Sequence, residues 1–397
     1  MKTQEINKLG KELELYTFVD YVGKGFPIIL PRGARLIRLL RNYVEQQEEN
    51  EGYKVVRTPS LSNDEIYRIE DKYDFEKDTM FIINKEEKKD STIVLKPYSE
   101  PFHCTIFNNK RRTYKELPLK LCETSTVFRN ERDLKGLTKT RQFTLSDASV
   151  FCDRKKLRDS VEESLKLQKN IIDKLGLSEA TFEVATWDDS NKEDYIGTIE
   201  EWNMATKALE EALDKIGIKY SISKKARIFG PAIRIKYENS DFSSLQIDFE
   251  ITHRFNLKFV NNENQEEFPI YIHNTIIGSY ENLLSILLEK YHGKFPISFA
   301  PEQICIIPDR EEYDEYAKKI TQELKENNIR VKCDLANKTR EQKINENTKL
   351  QIPIIATAGK DEMNEEKIKI LTNEYIDEKT YEIKDFIKEV LNCQIQF

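Results

Sequence analysis

The chain has 397 residues, of which 39% are hydrophobic and 34% are charged, and its formal net charge is −7 at pH 7. This balance excludes a disordered or membrane-spanning chain, and a globally acidic chain is a poor general binder of polyanions. Only 13 residues are glycine, and neither G-x-x-x-x-G-K-[ST] nor G-x-G-x-x-G occurs, so the glycine-rich phosphate loops are excluded. Any bound nucleotide must be held through side chains.

The amino-terminal half of the chain predicts a helix followed by many strands. Leucines recur at helical spacing over residues 34–49, and Gly52 is placed to end that helix. A buried strand that ends at Pro59 is predicted next. Between residues 80 and 150, short strand-like runs alternate with charged loops, which indicates a large antiparallel sheet.

The rest of the chain changes character near residue 298. Helical and strand patterns before that point predict helices over 155–175, 198–215 and 275–291, and strands within 227–260. After it, strand and helix alternate, as in a small α/β unit. We therefore predict an α+β domain over residues 1–297, built on an antiparallel sheet flanked by helices, and a small α/β domain over residues 298–397.

The segment ETSTVFRNERDLKGLTKTRQFTLSDA concentrates the residues that carry chemistry. Two antiparallel strands are predicted to present Arg129, Glu131, Arg141, Phe143 and Asp147 together. Arginines suit phosphate, an aromatic ring suits a base, and carboxylates suit a metal or an amine. From the residues alone, a site for a nucleoside triphosphate and a salt-bridged, solvated hairpin both stay open.

The same segment carries a family resemblance. Phe128-Arg129-Asn130-Glu131, followed by Phe143-x-x-x-Asp147, resembles motif 2 of the class II aminoacyl-tRNA synthetases, and the helix and strand that end at Pro59 resemble their motif 1. The stretches FPIILPRGARL, LQIDFEITHRF and IHNTIIGSYENLLSILLEKY are similar, in order, to the threonyl-tRNA synthetase family. The similarity runs from about residue 7 nearly to the carboxyl terminus.

The resemblance implies an enzyme that activates an amino acid with ATP and Mg²⁺ and transfers it to tRNA. It assigns residues 1–297 to the catalytic domain and residues 298–397 to an anticodon-binding domain, in a form that lacks the family's amino-terminal editing region. It also implies a homodimer formed through motif 1. Because the six cysteines include no C-x-x-C pair and no apolar run is long enough to span a bilayer, we expect a cytoplasmic protein that does not bind a membrane.

Site residues follow from the resemblance, position by position. Arg129 and Glu131 are the implied catalytic residues, the first bridging the substrate carboxylate and the α-phosphate. The implied ATP-binding residues are Arg129, Glu131, Lys139, Arg141, Phe143, Ser244 and Asn282. The implied amino-acid-binding residues are Glu100, Asp147, Ser149, Phe229, Gln246, His273 and Ser279. The implied tRNA-binding residues are Asn337 and Lys343.

The chain departs from the family at its zinc positions. The family's cysteine is replaced by Glu100 and its first histidine by Ser149, while its second histidine remains as His273. Zinc in an open site needs three strong protein ligands, so we predict no metal and no zinc. His103 and Cys104 are expected to point to opposite faces of a strand, which leaves them poor substitutes. With the apolar Leu145 nearby, we expect an altered amino-acid specificity.

Two further departures concern ATP and tRNA. The arginine of motif 3 is replaced by Asn282, a motif 2 loop arginine by Lys139, and an arginine of the anticodon domain by Ala336. Losing a charge-assisted phosphate contact weakens ATP binding by roughly 1.5–3 kcal/mol, and the anticodon specificity is left open. Three hypotheses remain: a tRNA ligase, a ligase of specialised metabolism that charges another acceptor, and a catalytically impaired paralogue that binds tRNA or a partner or acts as a regulator.

Overall fold

The computed structural model describes residues 2–70, 73–84, 92–238, 240–373, 375–376 and 378–394. The chain divides into two compact units, and both are discontinuous in sequence. The first unit comprises Met1–Val22, Pro27–Leu40 and Leu287–Phe397, and the second comprises Gly23–Phe26 and Arg41–Ile286. The domain boundary predicted at residue 297 stays a prediction.

The helices lie in both units. Their bounds are α1 Thr3–Glu12, α2 Pro31–Asn50, α3 Glu65–Ile69, α4 Tyr73–Glu76, α5 Glu100–Asn108, α6 Leu157–Lys174, α7 Ile199–Ile216, α8 Glu250–Arg254, α9 Tyr280–Tyr291, α10 Asp314–Glu326, α11 Arg340–Lys349, α12 Lys360–Glu365 and α13 Ile383–Gln394. Among the described residues, no helix is both long enough and apolar enough to cross a bilayer.

Within the described ranges of the chain, the strands form five separate sheets. Their bounds are β1 Tyr16–Thr17, β2 Ile28–Ile29, β3 Lys54–Val55, β4 Leu61–Asn63, β5 Ile82–Asn84, β6 Ile93–Leu95, β7 Arg112–Thr113, β8 Leu119–Phe128, β9 Gln142–Cys152, β10 Thr181–Ala185, β11 Tyr220–Ser223, β12 Ala232–Tyr237, β13 Ser240–Asp248, β14 Phe259–Val260, β15 Glu266–Glu267, β16 Ile270–Ser279, β17 Ile304–Pro308, β18 Val331–Cys333, β19 Ile354–Ala358, β20 Lys367–Asn373 and β21 Thr380–Glu382.

An eight-stranded sheet dominates the second unit, in the order β11-β10-β12-β13-β16-β9-β8-β3. The neighbours from β10 to β8 pair antiparallel, while the outermost pairs β10–β11 and β3–β8 are parallel. The helix α6 packs on this sheet through apolar residues at helical spacing, among them Val161, Leu165 and Ile172, all fully buried. The predicted antiparallel sheet with flanking helices is therefore confirmed.

Local signals set the limits of the long helix α7. Thr198 and Glu201 cap its start reciprocally, since the Thr198 hydroxyl accepts from the Glu201 amide and the Glu201 carboxylate accepts from the Thr198 amide. Gly217 ends it with φ +76°, a conformation that glycine adopts without steric cost. These signals explain why the helix predicted at 198–215 lies within a residue of its observed position.

A five-stranded sheet, in the order β18-β17-β19-β20-β21, lies in the first unit. Its strands β17, β18 and β19 are parallel, and β17 and β19 are buried along their whole length. Near-continuous apolar runs are typical of parallel strands covered on both faces. The helix α10 contributes Tyr316, Ala317, Ile320 and Leu324 to this core, as its sequence pattern predicts.

Three local predictions were wrong. The strand expected up to Pro59 is only two residues long, Lys54–Val55, and both are exposed. The helix expected over 275–291 begins at Tyr280, because the residues before it complete β16. His103 and Cys104 lie on α5 and not on a strand. In each case an apolar run was compatible with either helix or strand, and sheet pairing or tertiary packing decided.

Candidate active site

Three adjacent strands at the centre of the large sheet bring polar side chains together. Gln246 on β13 is opposite His273 on β16, and His273 is opposite Ser149 on β9. Side chains of directly opposed residues lie on the same face, as do residues two apart on one strand. The same face therefore carries Asp147, two residues before Ser149, diagonal to His273.

A cleft lies over this face. It consists of two adjoining cavities of about 450 Å³ and 340 Å³. Residues predicted from the sequence that line the first are Glu100, Arg129, Glu131, Phe229, Gln246 and His273. Those that line the second are Glu100, Arg129, Asp147, Ser244, Gln246 and His273. The shared members show that the two cavities form one continuous site.

Several residues that line the cleft were missed by the sequence analysis. They include Glu76, Tyr98, Arg227, Arg234, Asp248 and Tyr271. Arg227 stands two residues before the predicted Phe229, and Asp248 two residues after Gln246. Alternation along the strand β13 was the signal that pointed to Asp248. No comparable pattern marked Glu76 or Tyr98, because their place at the cleft depends on the packing of the segments around them.

Arg129 follows the last residue of β8 and is held in place by backbone contacts. Its amide donates to the Arg141 carbonyl at 2.8 Å, and its Nε donates to the Pro97 carbonyl at 3.0 Å. The guanidinium carbon lies 5.3 Å from the centroid of the Phe143 ring, within the range of a cation–π contact. A fixed arginine beside an aromatic ring at a cleft suits a phosphate next to a planar base.

The motif 2 loop beyond Arg129 is held by its own charges. Glu131 Oε2 pairs with Lys139 Nζ at 2.9 Å, and Arg141 Nε donates to the Glu131 carbonyl at 3.1 Å. Arg141 also receives support from the chain near Gly25, whose carbonyl accepts from the Arg141 amide. Neither Lys139 nor Arg141 is among the residues that line the two cavities, so their predicted ATP contacts stay predictions.

His273 lies between two carboxylates. Its Nε2 is 2.7 Å from Asp147 Oδ1, and its Nδ1 is 3.5 Å from Glu100 Oε1. Burial on its own would raise the pKa of Asp147, but the pKa is lowered below its ordinary value by His273 and, to a smaller extent, by His103 and Ser99. Asp147 is therefore ionised at neutral pH, and its side chain is only 1% exposed.

The three positions that correspond to the family's zinc ligands do not fit a zinc ion. Ser149 is fully buried, and its hydroxyl lies 2.7 Å from both His103 Nδ1 and Tyr271 Oη. Both contacts occupy the oxygen, and Ser149 does not line the cleft. The residues Glu100, Asp147 and His273 do each offer a ligand atom within 4.8 Å of the others. However, Asp147 and His273 already lie at hydrogen-bond distance from each other. Neither the structure nor the comparisons test zinc binding, and the predicted absence of zinc stays a prediction.

The floor of the site is a buried polar network that begins at His103. The Nε2 of His103 is 3.7 Å from Glu123 Oε2, and Glu123 pairs with Lys96 Nζ at 3.3 Å. Glu123 also accepts from the Thr58 amide and hydroxyl. Burial opposes ionisation of Glu123, but these partners lower its pKa. The hydrogen bonds and the ion pair to Glu123 hold the members of this buried network in one arrangement.

Two residues with predicted roles lie outside the cleft. Asn282, at the motif 3 position, is 5% exposed, and its Nδ2 donates to the Asp241 carbonyl at 3.0 Å. The Ser279 hydroxyl accepts from the Asn282 amide at 3.1 Å. Neither residue lines the two cavities. Their observed contacts hold the start of α9, and their predicted roles toward ATP and the amino acid stay predictions.

The predicted tRNA-binding residues differ in exposure. Asn337 lies in an exposed turn, next to the exposed Ala336. Lys343 on α11 is only 7% exposed, so most of its side chain is inside the first unit. The turn is anchored by Asp334, whose carboxylate accepts from the Ala336 amide and from Asn347 Nδ2. Of the two, only Asn337 presents its side chain to solvent.

Comparison with known proteins gives matches over nearly the whole chain. The family model "tRNA synthetase class II core domain (G, H, P, S and T)" matches residues 73–291, more than half of the chain, and "Anticodon binding domain" matches residues 303–392. The chain is 31% identical to a threonine–tRNA ligase of Clostridium perfringens, over 98% of the chain and 62% of that protein. It is 33% identical to that of Aquifex aeolicus, over 94% of the chain and 59% of that protein.

A solved structure is similar over nearly the whole chain. The RNA-binding domain of threonyl-tRNA synthetase from Cryptosporidium parvum Iowa II superposes with a TM-score of 0.90 at 28% identity, and 98% of each chain is covered. The chain thus spans about three fifths of the length of the curated relatives that it matches, and nearly all of the length of this solved chain.

Proposed function

We propose that this chain, which belongs to the class II tRNA synthetase core family for G, H, P, S and T, activates an amino acid with ATP and transfers it to tRNA. The observation that carries the proposal is the presence of Arg129 and the ionised Asp147 in one cavity. A cation and an anion fixed in one cleft match the two ends of an amino acid. The match to an anticodon-binding domain supports tRNA as the acceptor.

The chemistry takes two steps. A carboxylate oxygen of the amino acid attacks the α-phosphorus of ATP, which forms an aminoacyl adenylate and releases pyrophosphate. A hydroxyl at the 3′ end of tRNA then attacks the carbonyl carbon, loses its proton, and AMP leaves. Arg129 stabilises the charge that develops in the first step, because a fixed guanidinium suits phosphate oxygens. Mg²⁺ bound to the ATP phosphates would offset part of their negative charge.

The remaining residues of the cleft position the substrates. Asp147 accepts from the α-ammonium group of the amino acid, a charge-assisted hydrogen bond. Gln246 and Phe229 bound the amino-acid end. Phe143, which contacts Arg129 but lines neither cavity, offers its ring to adenine. Glu131 lines the same cavity as Arg129, and its carboxylate is oriented by Lys139. Zinc takes no part in this scheme, and the side-chain specificity differs from a zinc-dependent one.

Pyrophosphate exchange with ATP, screened over all amino acids, tests the proposal. We expect exchange with one amino acid or a small set, and charging of total tRNA with the same amino acid. Arg129→Ala lowers exchange by at least roughly 10²-fold because it removes the charge stabilisation. Arg158→Ala, which removes an arginine from an exposed ion pair with Glu211, is the matched control and leaves exchange unchanged. Absence of exchange with every amino acid contradicts the proposal.

A second candidate is a catalytically impaired paralogue that binds tRNA or a partner or acts as a regulator. The observation that favours it is Asn282, which replaces the motif 3 arginine and is buried away from the cleft. Binding of tRNA in a filter assay, together with no exchange, supports this candidate. A third, a ligase of specialised metabolism with another acceptor, is supported by exchange without any charging of tRNA.

Three finer points belong to the proposal. The chain is a cytoplasmic homodimer formed through α2, and a monomeric mass by light scattering contradicts the dimer. It carries no zinc, and one equivalent of zinc by elemental analysis contradicts that. It prefers an amino acid other than threonine. Zinc-dependent activation of threonine contradicts both this preference and the absence of zinc.

A further inference from the structure

The amino-acid end of the cleft has an excess of carboxylates. Glu76, Glu100 and Asp248 line the larger cavity, and Asp147 lines the adjoining one. Asp248 already accepts from the backbone amides of Glu250 and Ile251. Glu100 and Asp147 face the cleft, with one imidazole, that of His273, between them.

Two carboxylate oxygens of this group indicate that the cleft binds a ligand that donates hydrogen bonds. Asp147 is fully buried, yet within the described part of the chain its Oδ2 has no hydrogen-bond partner, although the Ser99 hydroxyl lies beside the carboxylate. Glu100 Oε2 is also inaccessible to solvent and has no such partner there. A buried acceptor without a donor costs free energy that a bound donor recovers.

The local potential is negative next to Glu100. Burial raises the pKa of the Tyr98 hydroxyl, and the carboxylates of Glu70, Glu76 and Glu100 raise it further. Tyr98 lines both cavities. A cation is therefore favoured and an anion disfavoured at this end of the cleft.

The charges that a simple amino acid brings do not balance this end. Its α-ammonium group has a partner in Asp147, and its carboxylate has one in Arg129 or Arg227. Glu76, Glu100, Asp147 and Asp248 carry four negative charges, against three positive charges on Arg129, Arg227 and His273 when His273 is counted as a cation. Glu131 is already paired with Lys139. A simple amino acid adds one positive and one negative charge, so one negative charge stays unbalanced, and a second nitrogen cation on the substrate side chain balances it.

We propose that the cleft selects a short-chain diamino acid, whose second ammonium group donates to Glu100 while its α-ammonium group donates to Asp147. The inference rests on the proposed function of this cleft as an amino-acid site. The ligand atoms of Glu100 and Asp147 lie within 4.8 Å of each other, which suits two ammonium groups separated by two or three carbon atoms. In a longer diamino acid such as lysine, five carbon atoms separate the two nitrogens, and the extended side chain places the second ammonium group too far from the first.

Direct binding to the wild-type protein tests the inference without any need for catalysis. Isothermal titration calorimetry with L-2,4-diaminobutyrate is compared with L-homoserine, which has a hydroxyl in place of the second ammonium group, and with L-threonine and L-2-aminobutyrate. We expect L-2,4-diaminobutyrate or L-2,3-diaminopropionate to bind roughly tenfold to hundredfold more tightly than the neutral compounds. Equal or tighter binding of the neutral compounds, or no binding of either diamino acid, overturns the inference.

A variant isolates the contribution of Glu100. Glu100→Gln keeps the shape and an acceptor oxygen but removes the charge, so the ratio of the affinity for the diamino acid to that for the neutral compounds falls at least tenfold. Glu163→Gln, which neutralises a carboxylate in an exposed pair with Lys120, is the matched control and keeps the preference. An unchanged preference in a folded Glu100→Gln variant overturns the inference, and the wild-type comparison decides if that variant does not fold.

The outcomes separate this inference from the proposed function. Tight binding of a diamino acid without pyrophosphate exchange supports the inference and contradicts the proposed activity. Exchange with a neutral amino acid, without binding of the diamino acids, supports the activity and overturns the inference.

Discussion

Single polar residues near the cleft have contacts that their chemical type alone does not indicate. Ser149 has a hydroxyl, yet that hydroxyl is held between His103 and Tyr271. Asn282 is polar, yet its side-chain amide is buried and donates to the Asp241 carbonyl. A polar side chain can therefore stabilise the fold at a position where a related protein uses a side chain for chemistry.

Asn282→Ala tests which role Asn282 has. We expect a loss of about 1 kcal/mol in the free energy of unfolding, because a buried hydrogen bond to Asp241 is removed. The affinity for ATP stays unchanged, since Asn282 does not line the cleft. Urea denaturation and calorimetry with ATP measure the two effects, and a weaker affinity for ATP at unchanged stability contradicts this account.

A buried acid on α2 makes stability depend on pH. The pKa of Glu48 is raised to about 8, mainly by burial. The negative charges of Glu45 and Asp147 raise this pKa as well, while hydrogen bonds from Cys122 and Ser146 lower it. An acid with a raised pKa in the folded state favours folding in its protonated form. Its contribution is therefore complete below the ordinary value of 4.5 and is lost as the pH rises to about 8.

Glu48→Gln is expected to remove this dependence. Between pH 5 and 9 the wild-type protein loses on the order of 4 kcal/mol of stability through this group, while the variant has a flatter profile. Glu49→Gln, an exposed neighbour on the same helix, is the control and keeps the wild-type profile. Chemical denaturation at each pH measures the difference, and parallel profiles for wild type and Glu48→Gln contradict the expectation.

At the scale of elements, an irregularity in β16 shapes the wall of the cleft. The register between β16 and β9 shifts between Thr275 and Ser279, and Gly278 in this stretch has φ +64°. A Cβ atom at Gly278 would lie 2.0 Å from the Phe242 carbonyl oxygen. Such irregularities occur often beside active sites, because they redirect the strand.

Gly278→Ala is expected to cost about 3 kcal/mol or more in the free energy of unfolding, since both the backbone angle and the contact with Phe242 oppose a side chain. Gly52→Ala is the matched control. Gly52 has φ +81° but nothing within 4 Å of the added Cβ, so only the backbone strain remains, about 1 kcal/mol. Equal losses for the two variants, measured by urea denaturation, would show that the contact with Phe242 is unimportant.

At the scale of the whole molecule, the first unit joins the two ends of the sequence. Arg32 at the start of α2 pairs with Glu302 at 2.7 Å and donates to the carbonyls of Leu13 and Leu350. Arg35 adds a second contact to Glu302 at 3.2 Å. Residues far apart in sequence thus depend on one buried guanidinium group.

Arg32→Ala is expected to lower the free energy of unfolding by roughly 3–5 kcal/mol, because it leaves Glu302 buried without its closest partner. Lys8→Ala is the control, since Lys8 forms an exposed pair with Glu12 at 3.8 Å, and exposed pairs contribute at most about 1 kcal/mol. Thermal and urea denaturation compare the two variants. A loss for Arg32→Ala as small as that for Lys8→Ala contradicts the importance of this pair.

Much of the fold was predictable because its signals are local. The apolar periodicity of α10, the capping residues of α7 and the alternation along β9 each lie within a short stretch of chain. The failures share one cause. The segments at 54–59, 100–104 and 275–279 are short and mix apolar with polar residues, so the choice between helix, strand and loop there depends on residues distant in sequence.

The sequence by itself determined the family, the antiparallel core with its α/β companion, and the presence of Arg129, Asp147, Gln246 and His273 at one site, because motifs and alternation are written in residue order. Only the tertiary structure decided which polar groups face the cleft. Hydrogen-bond partners such as His103 and Asp241 come from separate elements, and they hold Ser149 and Asn282 in buried contacts, while Glu100 and Asp147 line the cleft. A buried polar atom must find a partner, and three-dimensional packing alone determines where that partner lies.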